Sequence, residues 1–164
     1  MMADAISENE NGGGPRLVVF GSDHAGCEMK RCLMDAVADM GLKTEDLGAH
    51  GPSSVDYPDY AAVVAERVSK GTADVGVLVC GTGVGMDITA NKFPGVRAAL
   101  LYDDVTARQA RMHNDANIAV FGGRTMTPQD AAKRIRIFLE EPYEGGRHQA
   151  RIDKIREIEK RTGK

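Results

Sequence analysis

Two apolar runs frame the first half of the chain. Residues 17–20 are apolar and stop at Gly21, and residues 75–80 (VGVLVC) are apolar throughout. Such runs predict parallel strands buried on both faces, the second of them central. Between them, Met29, Leu33, Val37 and Met40 recur at helical spacing, with Gly41 behind as a C-cap. Residues 43–47 predict a weaker strand, and Asp56-Tyr57-Pro58 opens a helix reaching about Lys70. After Cys80, a glycine loop at 81–85 leads into a helix through Ile88 and Ala90 to Lys92, broken by Pro94 and Gly95. Further on, the pattern predicts a strand over 96–101, a helix from Asp103 or Asp104 to about Met112, and a strand over 118–121. A helix follows Thr127-Pro128 with Ile135, Phe138 and Leu139 inward. A loop over 141–146 then precedes a last charged helix, about 151–161.

This alternation predicts an α/β fold, a single doubly wound five-stranded parallel sheet in the flavodoxin-like order 2-1-3-4-5. Ligands of such sheets bind beyond the carboxyl ends of the strands, at the switch point between strands one and three. One domain over 16–164 is expected. Residues 1–15 are polar and glycine-rich, lack the basic start and apolar middle of a signal peptide, and are taken as a disordered leader.

Composition narrows the function. At 164 residues, 42% apolar and 27% charged, the chain suits an ordinary globular domain. A net charge of -3 supplies no basic field for nucleic acid or acidic membrane, and no apolar run approaches the roughly 18 residues of a span. Tryptophan is absent, which argues against a stacking platform for single strands. Three cysteines, Cys27, Cys32 and Cys80, without a secretion signal predict reduced thiols in a cytosol.

Candidate chemistry collects at the predicted switch point. In residues 80–85 (CGTGVG), Gly81, Gly83 and Gly85 let bare amides approach a bound oxygen, as a phosphate or a developing oxyanion requires. The same glycines also suit a tight turn with no ligand. The spacing matches neither the dinucleotide fingerprint nor the Walker loop. Cys80 stands at the mouth of this loop. A neighbouring helix start favours a thiolate, which can take a proton from carbon beside a carbonyl; a buried structural thiol is the alternative. Cys27 and Cys32 do not share a helix face and are read as structural. Asp23-His24 after the first strand suits sugar hydroxyls or, equally, a capped turn. His113 and Asn114 precede the fifth strand, at its amino end. A catalytic His113 would therefore have to serve a neighbouring subunit's site; otherwise it closes a helix against the dipole. Arg147 and Arg151 lie four apart beside His148, a pairing that suits a phosphate dianion or a solvated surface, and Arg124 is a weaker candidate of the same kind. HExxH and CxxC spacings are absent, so no metal or other cofactor is expected.

Six stretches in register resemble the ribose-5-phosphate isomerase B and galactose-6-phosphate isomerase family. They are GSDHAG at 21–26, VDYPDYA at 55–61, VCGTGVGM at 79–86, ANKFPGVRAAL at 90–100, HNDANI at 113–118 and YEGGRHQAR at 143–151. The resemblance implies a metal-free homodimer, with a tetramer of such dimers as the alternative assembly, that interconverts ribose 5-phosphate and ribulose 5-phosphate. By that resemblance, Cys80 moves a proton between C2 and C1 while the amides of Gly81, Gly83, Val84 and Gly85 stabilise the enediolate. Thr82 and His113 would help open the furanose ring. Asp23, His24 and Asn114 would bind hydroxyls, with Tyr57 lining the site. Arg147, His148, Arg151 and Arg124 would hold the phosphate, the C-terminal helix reaching across to the partner subunit. One family branch places glutamate where Met86 stands and lacks the cysteine; Cys80 puts this chain in the other. Asp87 departs from the small residue usual there. A six-carbon sugar phosphate is the alternative substrate, and a non-catalytic sugar-phosphate sensor is the alternative of another class.

Overall fold

The strand-helix alternation predicted from the apolar runs is present. The computed structural model describes residues 16–163, so the expected leader lies outside the described residues. In chain order the elements are β1 (Leu17–Ser22), α1 (Cys27–Ala38), β2 (Lys43–Asp46), α2 (Tyr57–Ser69), β3 (Val75–Cys80), α3 (Val84–Ala90), β4 (Ala98–Leu100), α4 (Asp104–Met112), β5 (Ile118–Gly122), α5 (Pro128–Glu140) and α6 (Arg147–Thr162). A 3-10 turn, His24–Gly26, joins β1 to α1. The ends follow local chemistry. Asp103 and Thr106 form a capping box on α4, and the Thr127 hydroxyl accepts from the Asp130 N–H at the start of α5.

The five strands are all parallel, in the order β2-β1-β3-β5-β4. This corrects the expected order 2-1-3-4-5 at its last two places. The burial of the strands explains the exchange. Every residue of β5 is buried, whereas β4 is three half-buried residues. The fully apolar strand takes the central place beside β3, and the short alanine-rich one takes the edge.

Side chains alternate across the sheet into two cores. Val18, Phe20, Val77, Val79, Ala119 and Phe121 pack on one face with α1, α4 and α5. Val19, Leu78, Cys80, Ile118 and Val120 pack on the other with α2 and α3. The crossovers obey one hand. Connections that step toward β2, through α1 and α4, lie on the first face, and those that step away, through α2 and α3, lie on the second. With β5 inside β4, α4 has to return toward the centre, which puts it on the α1 face.

The last helix also differs from expectation. It begins at Arg147 rather than near Arg151, because Gly145 and Gly146, both at positive φ, turn the chain directly into it. Only His148 and Ile152 of α6 are buried, while Ile155 and Ile158 are 41% and 50% exposed. A groove of about 550 Å³ runs between α6, α4 and the open edge of β4.

Candidate active site

β1 and β3 end side by side, Ser22 level with Val79, and Cys80 is level with Gly122 of β5. The loops that follow are tied together by backbone hydrogen bonds. Asp23 donates its N–H to Val79 O at 3.2 Å, Gly123 to Cys80 O at 2.8 Å, and Arg124 to Gly81 O at 2.9 Å. Close approach requires glycine here: a Cβ on Gly26 would lie 2.5 Å from Val79 O. These contacts bring Asp23, His24, Cys80 and Gly81 to one place at the carboxyl edge, where the sequence pattern put them, and add Arg124 to the group.

Cys80 is buried. Gly83, at φ 85 and at the N-cap of α3, donates its N–H to Cys80 Sγ at 3.1 Å. The left-handed backbone at Gly83 is what turns this amide back onto the sulfur. An N–H aimed at sulfur is the contact that a negative sulfur uses best. The Thr82 hydroxyl accepts the Val84 N–H at 3.4 Å and is exposed with Val84 at the loop surface. Gly85 lies under the Tyr57 ring, where a Cβ would come within 2.5 Å of ring carbons, and Gly81 lies against the Arg124 side chain. The loop is thus walled by an aromatic ring on one side and a guanidinium on the other.

Asp23 is 7% exposed, and its Oδ1 accepts from the N–H groups of Ala25 and Gly26, so one oxygen serves the turn itself. His24 Nδ1 accepts from the Val55 N–H at 3.2 Å. That bond leaves Nε2 as the protonated, donating nitrogen and ties the loop before α2 to the site.

The remaining predicted residues form a second cluster at the other edge. His113 closes α4 ahead of Ile118, which is level with Gly76 at the start of β3. The run of β5 from there to the level of Cys80 is about 13 Å at the rise of a strand. Around this corner Arg97 holds the carbonyls of Asn114 and Asp115, and Arg111 holds the Asp115 carboxylate and Ala116 O. Asp115 adopts φ 44 under these clamps, and Asn114 is left exposed. His113 stacks on His148, with ring centroids 4.2 Å apart and planes at 10°. Arg147 and Arg151 stand exposed on the first turns of α6, either side of the buried His148. Burial, then the neighbouring His113 and Arg147, hold the His148 imidazole below its ordinary pKa.

Two residues that the sequence reading did not assign to the site belong to this description. Glu144 lies beside the stacked rings, its Oε2 3.7 Å from His113 Nε2 and 3.3 Å from His148 Nε2. Its place in YEGGRHQAR was visible, but nothing in the spacing joined it to His113. Asp87, one helical turn beyond Gly83, has a buried Oδ1 with no hydrogen-bond partner among the described residues, and burial pushes its carboxyl above the ordinary range.

The carboxyl-edge cluster can bind an anionic or developing-oxyanion group beside a nucleophilic sulfur. The amino-edge cluster offers imidazoles and guanidiniums, the groups that handle hydroxyl protons and phosphates.

A family model described as Ribose/Galactose Isomerase matches residues 18–155. Ribose-5-phosphate isomerase B of Escherichia coli (strain K12) is 40% identical over 144 residues, covering 88% of this chain and 97% of that protein. The structure of ribose-5-phosphate isomerase B from Clostridium thermocellum superposes with a TM-score of 0.87 at 44% identity, covering 89% of this chain and 99% of that one. That of ribose-5-phosphate isomerase B from Mycoplasma genitalium, which carries bound ribulose-5-phosphate, superposes with a TM-score of 0.85 at 40% identity, covering 88% and 96%.

Proposed function

The chain belongs to the ribose/galactose isomerase family, and from that premise we propose that it interconverts ribose 5-phosphate and ribulose 5-phosphate by proton transfer at Cys80. The observation that carries this reading is the Gly83 N–H on Cys80 Sγ at the mouth of a glycine loop. In the proposed reaction the open-chain aldose lies with C1 and C2 over the sulfur. The thiolate removes the C2 proton, and the electron pair moves to the carbonyl oxygen, giving the enediolate. The amides of Gly81, Gly83, Val84 and Gly85 receive that oxyanion, an interaction stronger in the transition state than in the ground state. The hydroxyl proton on O2 passes to O1, and return of the carbon-bound proton to C1, with the carbonyl re-forming at C2, completes the ketose. Asp23, His24 and Tyr57 line the hydroxyl-binding side.

The cyclic substrate must first open, and the groups suited to that step, His113 with Thr82, lie on opposite edges of the sheet within one chain. The site we propose is therefore shared: His113 and Asn114 of one chain meet the Cys80 loop of a second, and Arg147, His148 and Arg151 take the phosphate together with Arg124. The exposed Ile155 and Ile158 on α6, standing off their own core, support a homodimer with this exchange. Cys27, Cys32 and Cys80 are free thiols, and no helix among the described residues is long and apolar enough to cross a membrane. We place the enzyme in the cytoplasm on the thiols.

Conversion of ribose 5-phosphate by the wild-type chain, measured with chelator present, tests the reading. Turnover only of a six-carbon sugar phosphate would move the substrate assignment, and binding without turnover would leave a sensor.

A further inference from the structure

The stacked histidines and Glu144 present a donor set that the proposed isomerisation does not use as a unit. One ring nitrogen of His113, one of His148 and a carboxylate oxygen of Glu144 all lie within 4.8 Å of one another. His148 is only 5% exposed, and its Nε2 has no hydrogen-bond partner. Glu144 Oε2 is near it at 3.3 Å but does not meet it in hydrogen-bond geometry. With no substrate bound, whose phosphate the proposed function places here, the described residues leave this buried nitrogen open to another occupant.

We infer that His113, His148 and Glu144 form a site for a borderline divalent cation of the zinc class, and that occupancy of this site inhibits the enzyme.

Tetrahedral zinc with bonds of about 2.0–2.1 Å holds its ligand atoms roughly 3.4 Å apart, close to the separations from Glu144 Oε2 to the two rings. Two imidazoles and one carboxylate suit Zn²⁺ and its transition-metal neighbours, whereas Mg²⁺ and Ca²⁺ ask for oxygen ligands. Glu144 donates its backbone N–H to Met112 O at 3.0 Å, so the loop and the end of α4 hold the donors together before any ion arrives. The ring planes are nearly parallel, so their in-plane lone pairs do not converge. His113, 31% exposed, is the ring free to turn toward the ion, with Glu144 at 44% adjusting after it. Arg147 and Arg151 oppose a cation here, which selects for an ion that bonds strongly to nitrogen.

The inhibitory consequence rests on the proposed function: an ion on Nε2 removes His113 from ring opening. Cys80 is the competing zinc ligand, and the test must separate the two. Equilibrium dialysis of the full chain with Zn²⁺ alone should give one ion per chain, weakened more than about tenfold by Glu144→Gln. His113→Gln, the second variant, should weaken it likewise, with thermal melts reporting that both remain folded. Co²⁺ should give d–d bands without a sulfur charge-transfer band. Zn²⁺ should inhibit isomerisation of ribose 5-phosphate by wild type and do so at least about tenfold less effectively in Glu144→Gln. Absence of saturable binding, unchanged binding in both folded variants, or a thiolate band overturns the site. Zn²⁺ binding of the expected kind by a wild-type enzyme that does not isomerise ribose 5-phosphate upholds the site and overturns the activity instead.

Discussion

Gly83 donates its backbone N–H to Cys80 Sγ at 3.1 Å, three residues along the chain, from a left-handed conformation. The contact ties the proposed base to the loop proposed to hold the enediolate, so sulfur and oxyanion amides keep one geometry. Replacing Cys80 by Ala removes the base and leaves the loop. Isomerisation of ribose 5-phosphate should fall by about 10²–10⁴-fold, with the melting temperature near that of wild type. An active, folded Cys80→Ala enzyme would move the proton transfer to another group, Asp87 first.

Gly83→Ala tests the loop from the backbone. The added Cβ would stand 2.5 Å from Leu100 Cδ1 and 3.1 Å from the Phe121 backbone, at a φ of +85 that alanine resists. A stability loss of about 2 kcal/mol or more is expected in denaturant melts, from strain and overlap together. If the loop relaxes instead, the amide leaves Sγ, and activity falls with stability kept.

The shared site is tested by mixing. Cys80→Ala and His113→Ala chains should each be inactive alone. After unfolding and refolding together, random pairing makes half the dimers mixed, each with one intact site, so about a quarter of wild-type activity should return. No recovery from a mixture shown to contain mixed dimers would mean that both residues act within one chain.

Asp87 carries the pH prediction. Burial raises its carboxyl above the ordinary range in the fold. Between the unfolded and the raised folded value, the folded state binds more protons, so this group's contribution to stability grows as pH falls through that window. Above that window the buried carboxyl is a net cost to the fold. Asp87→Asn should raise the melting temperature at pH 7 relative to wild type, and the gain should disappear on acidification below about pH 4. A lower melting temperature for Asp87→Asn at pH 7 would mean that the carboxylate is held by a cation from another chain.

The strand count, the starts of the helices before the last, and the grouping of residues at the carboxyl edge were legible because each depends on short-range pattern. Runs such as Val75–Cys80 read as buried strands, Asp103 and Thr127 as caps, and the glycines of residues 81–85 as a loop behind Cys80. Once the strands are parallel, loops after β1 and β3 must fall at one edge, so Asp23, His24 and Cys80 could be grouped without coordinates. His113 at the opposite edge followed from the same logic.

What the sequence could not supply are relations between segments far apart in it. The exchange of β4 and β5 turns on which strand buries more surface, a comparison made only when both compete for the place beside β3. Lys30 looks like any helical lysine, yet it is 1% exposed, with Nζ held by Asp46 and Ala49 O at 2.6 Å each. Burial of a charge depends on partners that arrive from another element. Glu144 reaches His113 and His148 only because the loop into α6 folds back on the end of α4. Short-range pattern determined the elements and the edge where the chemistry lies; competition for buried surface and the meeting of distant side chains decided the strand order, the buried lysine and the histidine-glutamate cluster.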